Sequence, residues 1–534
     1  MLVDSSSSNE VSQIKATAIK GLRGKISFIM LSLVAASTIF YGFLAIDMAR
    51  VNSLPIFDNS VLSDRQETAR QAEHNKDFSA GMEEARHSGI WMALMSKATS
   101  SEYTYDTKGL YETFIYYAKM SLPQNISISI HNALGGICII LGGLQFIPGL
   151  RRKAPKLHKR IGRAYVVVVY SAMILAISYL LMTPVDDIFA GLTFAFGLWM
   201  MATLTLTTLT MAIYHAMKKQ IAQHQAYMAL NFSILLSAPL LRYDWTLMGL
   251  FLPVEKNFME GHFTIIILLL AHCVLSGYLI FCLNRWVQQD RAQANSIDLS
   301  KRLGGIFLKT KPLWPLLSAL AVASLGYHFI YLLEVGAKSA GINMLPQGFI
   351  DYETQILQPL LGSRLLLVGA SCLVFFMGAI NLQKLFSETH QGMNSQHKSN
   401  WLASLFAVSL SGFGLILCYL GNQMGMPSWR ALGGGTFYML VGGLSLLFAL
   451  LQMAYIVLQK WDYVRECAVL GFAAALSLPL YDFILAIMPV FGITEQHIAQ
   501  GHGYELATTA STIGFTLAFL YVIYGKATAS KFAR

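Results

Sequence analysis

Two stretches of equal length decide the fold: SAPLLRYDWTLMGLFLPVEKNFMEGH at 237–262 and SLPLYDFILAIMPVFGITEQHIAQGH at 477–502. Ser237, Pro239, Leu240, Gly261 and His262 recur as Ser477, Pro479, Leu480, Gly501 and His502, all at an offset of 240 residues, while the sequence between them has drifted. Such recurrence marks an internal duplication. Working outward, Tyr179-Leu180 meets Tyr419-Leu420 at the same offset, and His158-Lys159 meets His397-Lys398 one residue short of it. Upstream, Leu31-Ser32, Tyr41 and Phe43 meet Leu317-Ser318, Tyr327 and Phe329 at an offset of 286, which gives the first copy a longer loop.

The solvent of these copies follows from composition. The 534 residues are 55% hydrophobic and 13% charged, with a mean hydropathy of +0.51, too little polar surface to wrap a water-soluble core. Runs of about 20 apolar residues, enough to cross a bilayer core, begin near Ile26, Ile126, Ile161, Ala190, Ala226 and His262, and again near Leu313, Leu365, Trp401, Gly433, Cys467 and His502. The sequence thus predicts an all-α polytopic membrane protein of about twelve transmembrane helices, a parallel 6+6 duplication. A cytoplasmic tail (1–25) leads into the first six-helix repeat (26–286) with its outer loop (51–124). A cytoplasmic linker (287–312), the second repeat (313–526) and a short tail (527–534) follow.

Lys and Arg in short loops stay on the cytoplasmic side. They gather before the first span, between the second and third (Arg151, Arg152, Lys153, Lys156, Lys159, Arg160, Arg163), after the fourth (Lys218, Lys219) and after the sixth (Arg285, Arg291, Lys301, Arg302). The intervening loops carry Asp186, Asp187, Asp244, Glu255 and Glu260. Both termini are therefore expected in the cytoplasm, and an even number of spans per copy makes the repeat parallel. The net charge of +10 then serves topology and anionic headgroups, so the partners expected are the lipid bilayer and a small-molecule or redox partner on the outer face, with no nucleic acid. The six cysteines fall inside predicted spans without CxxC spacing, which suggests neither a disulfide framework nor a zinc site. Gly135-Gly136 with Gly142-Gly143, and Gly433 to Gly435 with Gly442-Gly443, suit close helix crossings. A short amphipathic helix is expected in the loop after the first span.

The segment GLQFIPGLRRKAPKLHKRIGRAYV, 143–166, carries a Gly-rich span ending in Leu-Gln-Phe-x-Pro, a basic loop with Pro-x-Leu-His, and a re-entry at Arg-x-Gly-Arg-x-Tyr. With His131 and the stretch from Ala222 through His224 to Arg242, it resembles the uncharacterised bacterial membrane family known as domain of unknown function 2306, over roughly residues 110–250. That resemblance implies a bacterial cytoplasmic (inner) membrane location and no assigned chemistry. The second copy departs from it, lacking the Arg-rich run and placing Ser371 or a neighbour where the first has His131.

Ionisable groups inside a membrane are costly unless paired, and are functional candidates for that reason. By the predicted topology they collect on the outer face. His131 and His262 fall there in the first copy, and His328 and His502 in the second. Asp47 and Glu334 close the first helices of the two copies. Arg242, Tyr243 and Asp244, and Tyr481 with Asp482, stand at the outer ends of the fifth. Three readings compete. One is haem b or quinone-linked electron transfer, with the histidine pairs as cofactor ligands. The second is a small-molecule or proton-coupled transporter whose fifth helices break at Pro239 and Pro479, with the Asp, Tyr, Arg and Glu groups as a ligand site or proton relay. The third is a metal-dependent membrane enzyme using Asp244 and His262, although no HxxxH or HExxH spacing supports a metal. His158, His215, His224 and His397 read as interfacial, and His272 as packing.

Overall fold

The computed structural model describes residues 5–75, 119–188, 191–251, 309–326, 361–390, 400–424 and 434–487, with short pieces within 89–94, 269–287 and 506–518. Among these residues there is no strand. The first part of the chain gives α1 (Ser5–Phe57), α2 (Asn59–Asn75), α3 (Leu122–Gln145), α4 (Pro148–Lys153), α5 (Pro155–Met182), α6 (Gly191–Met217), α7 (Ile221–Leu235) and α8 (Ser237–Phe251). The second gives α9 (Leu313–Gly326), α10 (Leu361–His390), α11 (Asn400–Met424), α12 (Gly434–Val457) and α13 (Trp461–Ile487).

Eight described helices are long and apolar enough to cross a membrane, within α1, α3, α5, α6, α10, α11, α12 and α13. The remaining expected spans do not add to this number, for separate reasons. The fifth is split into two 15-residue helices, α7 and α8; α9 offers a shorter apolar stretch, Leu313–Ala323; the sixth and twelfth are described only in pieces. Helix α1 also begins at Ser5, inside the stretch expected to be a tail.

Small residues let these helices approach closely. A Cβ on Gly42 of α1 would lie 2.8 Å from the Gly136 carbonyl oxygen of α3, and one on Gly136 would lie 2.7 Å from that of Gly42. In the same way Gly414 of α11 and Gly442 of α12 face each other's carbonyls at 2.7 and 2.8 Å, so backbone meets backbone where side chains would hold the helices apart. The turns are fixed locally. Gln124 accepts the Ser121 backbone N–H at 2.9 Å, and its amide reaches the Met182 carbonyl at 3.1 Å, tying the start of α3 to the end of α5. Outside the spans, Asp58 precedes α2 and accepts from the backbone N–H and hydroxyl of Ser60, which holds its carboxyl below the usual carboxylate range. Arg65 of α2 donates to the Val51 carbonyl at 3.1 Å, bringing this polar helix back onto the end of α1.

The joints between α6 and α7 and between α12 and α13 share one geometry. Lys219 and Gln459 are the described non-glycine residues with positive φ, at 57° and 54°. Gln220 N donates to His215 O and Lys460 N to Tyr455 O, both at 2.9 Å. The two long elements that follow differ. The fifth span of the first half turns at Leu236, whereas α13 runs unbroken through Pro479.

Candidate functional site

A cavity of about 220 Å³ opens inside the first half, walled by α1, α3, α5, α6 and the α7–α8 break. It lies toward the ends of the helices that carry Asp47, Asp187 and Asp244, away from the basic turn at 148–163. Its walls are mainly apolar, and the polar groups among them include Tyr41, His131, Asn132, Tyr179, Thr205, Ser237 and Arg242. His131 stands about 13 Å along α3 from Leu122, at about 1.5 Å per residue. Its Nδ1 is 2.8 Å from the Ala172 carbonyl, a contact that protonates Nδ1 in the neutral ring and leaves Nε2 as an acceptor. The imidazole lines this cavity.

Gly135, one turn along α3, also borders the cavity, and a Cβ built there would meet no atom within 4 Å. At the fifth span, Pro239 has no N–H to offer the Leu235 carbonyl four residues before it, and Leu235 lines the cavity beside the break. Arg242 reaches back to the Ala238 carbonyl at 2.9 Å and lines the same space as Tyr41.

The other expected site residues divide. Asp47 is bound to Arg50 at 2.9 Å and accepts the Ile90 backbone N–H at 2.8 Å, so it anchors the loop and not His131. Tyr243 is exposed, at 57%. Asp244 is buried and pairs with His272 at 3.1 Å, where sequence reasoning had assigned His272 to packing. Tyr481 is fully buried, its ring centroid 5.5 Å from that of Phe437. Asp482 is described only as a helical residue of α13, and His262, His328, Glu334 and His502 lie outside the described residues. Among the described residues, no group of three or more His, Cys, Asp or Glu comes together as a metal site would require.

Below the cavity is a network that the sequence reading missed. Tyr165 donates to Asn231 Oδ1 at 2.6 Å, and Asn231 Nδ2 donates to the Thr205 carbonyl at 2.8 Å and to Thr208 Oγ1 at 3.1 Å. Tyr165 and Asn231 are fully buried. One amide thus joins the third, fourth and fifth spans. Its signal was available, since Asn231 is a polar residue inside an apolar run. At the basic end, His215 is buried, with Nδ1 2.6 Å from Gln220 Oε1, and His224 Nδ1 is 2.9 Å from the Ala212 carbonyl. These two histidines fasten the α6–α7 joint where the sequence suggested an interfacial position.

Residues 128–281 match the family model described as predicted membrane protein, DUF2306. The matched segment starts and ends later than the sequence resemblance, and takes in the sixth span. Apart from Tyr41, Ala45 and Met48 of α1, every residue of the cavity wall falls within the DUF2306 segment. No curated protein and no solved structure matches the chain.

Proposed function

We propose that the protein is a bacterial inner-membrane protein of two parallel six-span halves, whose first half binds a quinone-type ligand beside His131 and serves quinone-linked electron transfer. One observation carries the ligand class: His131, whose Nδ1 is held by the Ala172 carbonyl and whose Nε2 is left as an acceptor, lines a mainly apolar cavity. A quinol ring would pack on the apolar walls, with one hydroxyl donating to Nε2 and Arg242 near its opposite oxygen. Oxidation of the quinol to the quinone releases two electrons and two protons: one proton goes to Nε2 of His131, the other to water at the outer face, and both electrons pass to an oxidised redox partner on that face. At about 220 Å³ the cavity is smaller than the roughly 300–1,000 Å³ of most ligand pockets, which favours a single ring over a macrocycle. The haem b form of this reading would use the same Nε2 with a second imidazole from His262.

The repeat is supported span by span. The alternation of buried and exposed residues along the helices agrees at offsets of 236, 241 and 240 for the second to fourth spans, and for the fifth an offset of 240 is carried by contact, since Gly142 packs against Phe232 in the first half as Gly378 does against Phe472 in the second. These offsets pair His131 with Leu367 and Tyr179 with Leu420, since the second copy carries five more residues between its second and third spans.

A transport reading draws on the broken fifth span, because interrupted helices beside a cavity are where transporters bind their substrates. The experiment that separates these readings uses purified protein, titrated with decylubiquinone while thermal unfolding is followed, together with a reduced-minus-oxidised visible spectrum. Stabilisation by the quinone that is lost in His131→Ala supports the proposal, and sharp haem bands would select its haem form. A flat spectrum with no effect of the quinone would favour transport.

A further inference from the structure

At several places that correspond to the cavity and to the network beneath it, the second half carries residues packed into its core. Tyr165, Thr208 and Asn231 correspond to Phe406, Phe448 and Gly471. Phe406 is fully buried, and a Cβ on Gly471 would overlap the side chain of Leu410 and lie 3.4 Å from Phe448 Cβ. An asparagine there would have to displace the Leu410 side chain. Nearer the acidic end, Ile139, Ala172, Leu198 and Ala238 line the cavity, whereas their counterparts Phe375, Phe413, Tyr438 and Leu478 are buried to 1% exposure or less in the core of the second half. The proline is common to both fifth spans, yet only the one above Asn231 is broken. Proline alone therefore does not make the break.

We infer that Asn231, tied to Tyr165 and Thr208, is a positioning residue that fixes the spacing of the fifth span from the third and fourth and so keeps the cavity around His131 open, while the second half is its closed, scaffolding counterpart. The physical reason is that a buried amide must keep its partners. An Asn231 that moved to let the helices close would lose three hydrogen bonds in a medium that offers no replacement, whereas glycine and phenylalanine carry no such requirement. This inference rests on the cavity and the repeat, and not on what the cavity binds.

The test places a reporter at the open wall position, Gly135→Cys, and measures its rate of modification by methyl methanethiosulfonate in the purified full-length protein, with the parent protein as the background. Into this reporter go the residues of the second half together: Tyr165→Phe, Thr208→Phe and Asn231→Gly. The expected result is a protein that unfolds at or above the temperature of its parent and whose reporter reacts at least tenfold more slowly. An unchanged rate in a folded triple variant would overturn the inference. If the triple variant does not fold, Thr208→Val and Thr208→Ser decide: the valine should slow the reporter severalfold and the serine should leave it unchanged, and equal rates for the two would be contrary. Because no quinone enters the experiment, its failure is separate from any failure of the ligand assignment.

Discussion

His131 was legible in the sequence because an ionisable group in an apolar run needs a reason to be there. Its partner was not legible, since the Ala172 carbonyl is 41 residues away on another span. The same limit applies to His272, whose carboxylate partner comes from the fifth span, and to Asp47, whose charge is absorbed by Arg50 and the Ile90 amide. Proximity in depth was readable, but the facing of side chains was not. Glycines give a prediction at this scale. Gly135→Ala should be nearly neutral, because its Cβ enters open space, whereas Gly136→Ala should destabilise by about 1–3 kcal/mol through overpacking, because its Cβ would meet the Gly42 carbonyl. Thermal unfolding of the two variants in one detergent checks the difference. His131→Ala should weaken decylubiquinone binding at least tenfold, about 1.4 kcal/mol, and an unchanged affinity would remove the imidazole from the site.

The eight described spans were readable, because apolar runs of membrane length leave little choice of structure, although α1 reaches back to Ser5, well inside the expected tail. Less readable was the continuity of the fifth spans. The sequence placed Pro239 and Pro479 as equal candidates for a break, and the structure breaks one and passes through the other. The difference lies in what surrounds the proline, in the Asn231 amide against Gly471. The two joints at Lys219 and Gln459 offer an independent check. An L-residue in the left-handed region costs roughly 1–2 kcal/mol that glycine does not, so Lys219→Gly and Gln459→Gly should each raise the unfolding temperature. A fall in either would mean that the side chain stabilises its joint by more than the backbone strain costs.

Across the whole molecule, the membrane was visible in the composition, and the proposed duplication rests on spacing, which survives drift that erases individual residues. The uneven use of the two halves was not visible, since it depends on which side chains fill space and which bond across it. Phe375, Phe413 and Tyr438 look like ordinary apolar residues until their burial is seen. The expected topology remains open to direct test: a cysteine at Ser79 should be labelled from outside intact cells and one at Ser296 should not, because basic loops alternate along the chain. Labelling of the second from outside would overturn the arrangement of twelve spans. The central claim, that the first half takes a quinone-type ligand in the cavity beside His131, is tested most directly by photolabelling the purified protein with an azido-quinone and mapping the modified peptides. The label should fall within residues 128–242, be displaced by decylubiquinone and be lost when Gly135→Leu fills the cavity. Displaceable label confined to residues 361–487, or label that persists undiminished in Gly135→Leu, would contradict it.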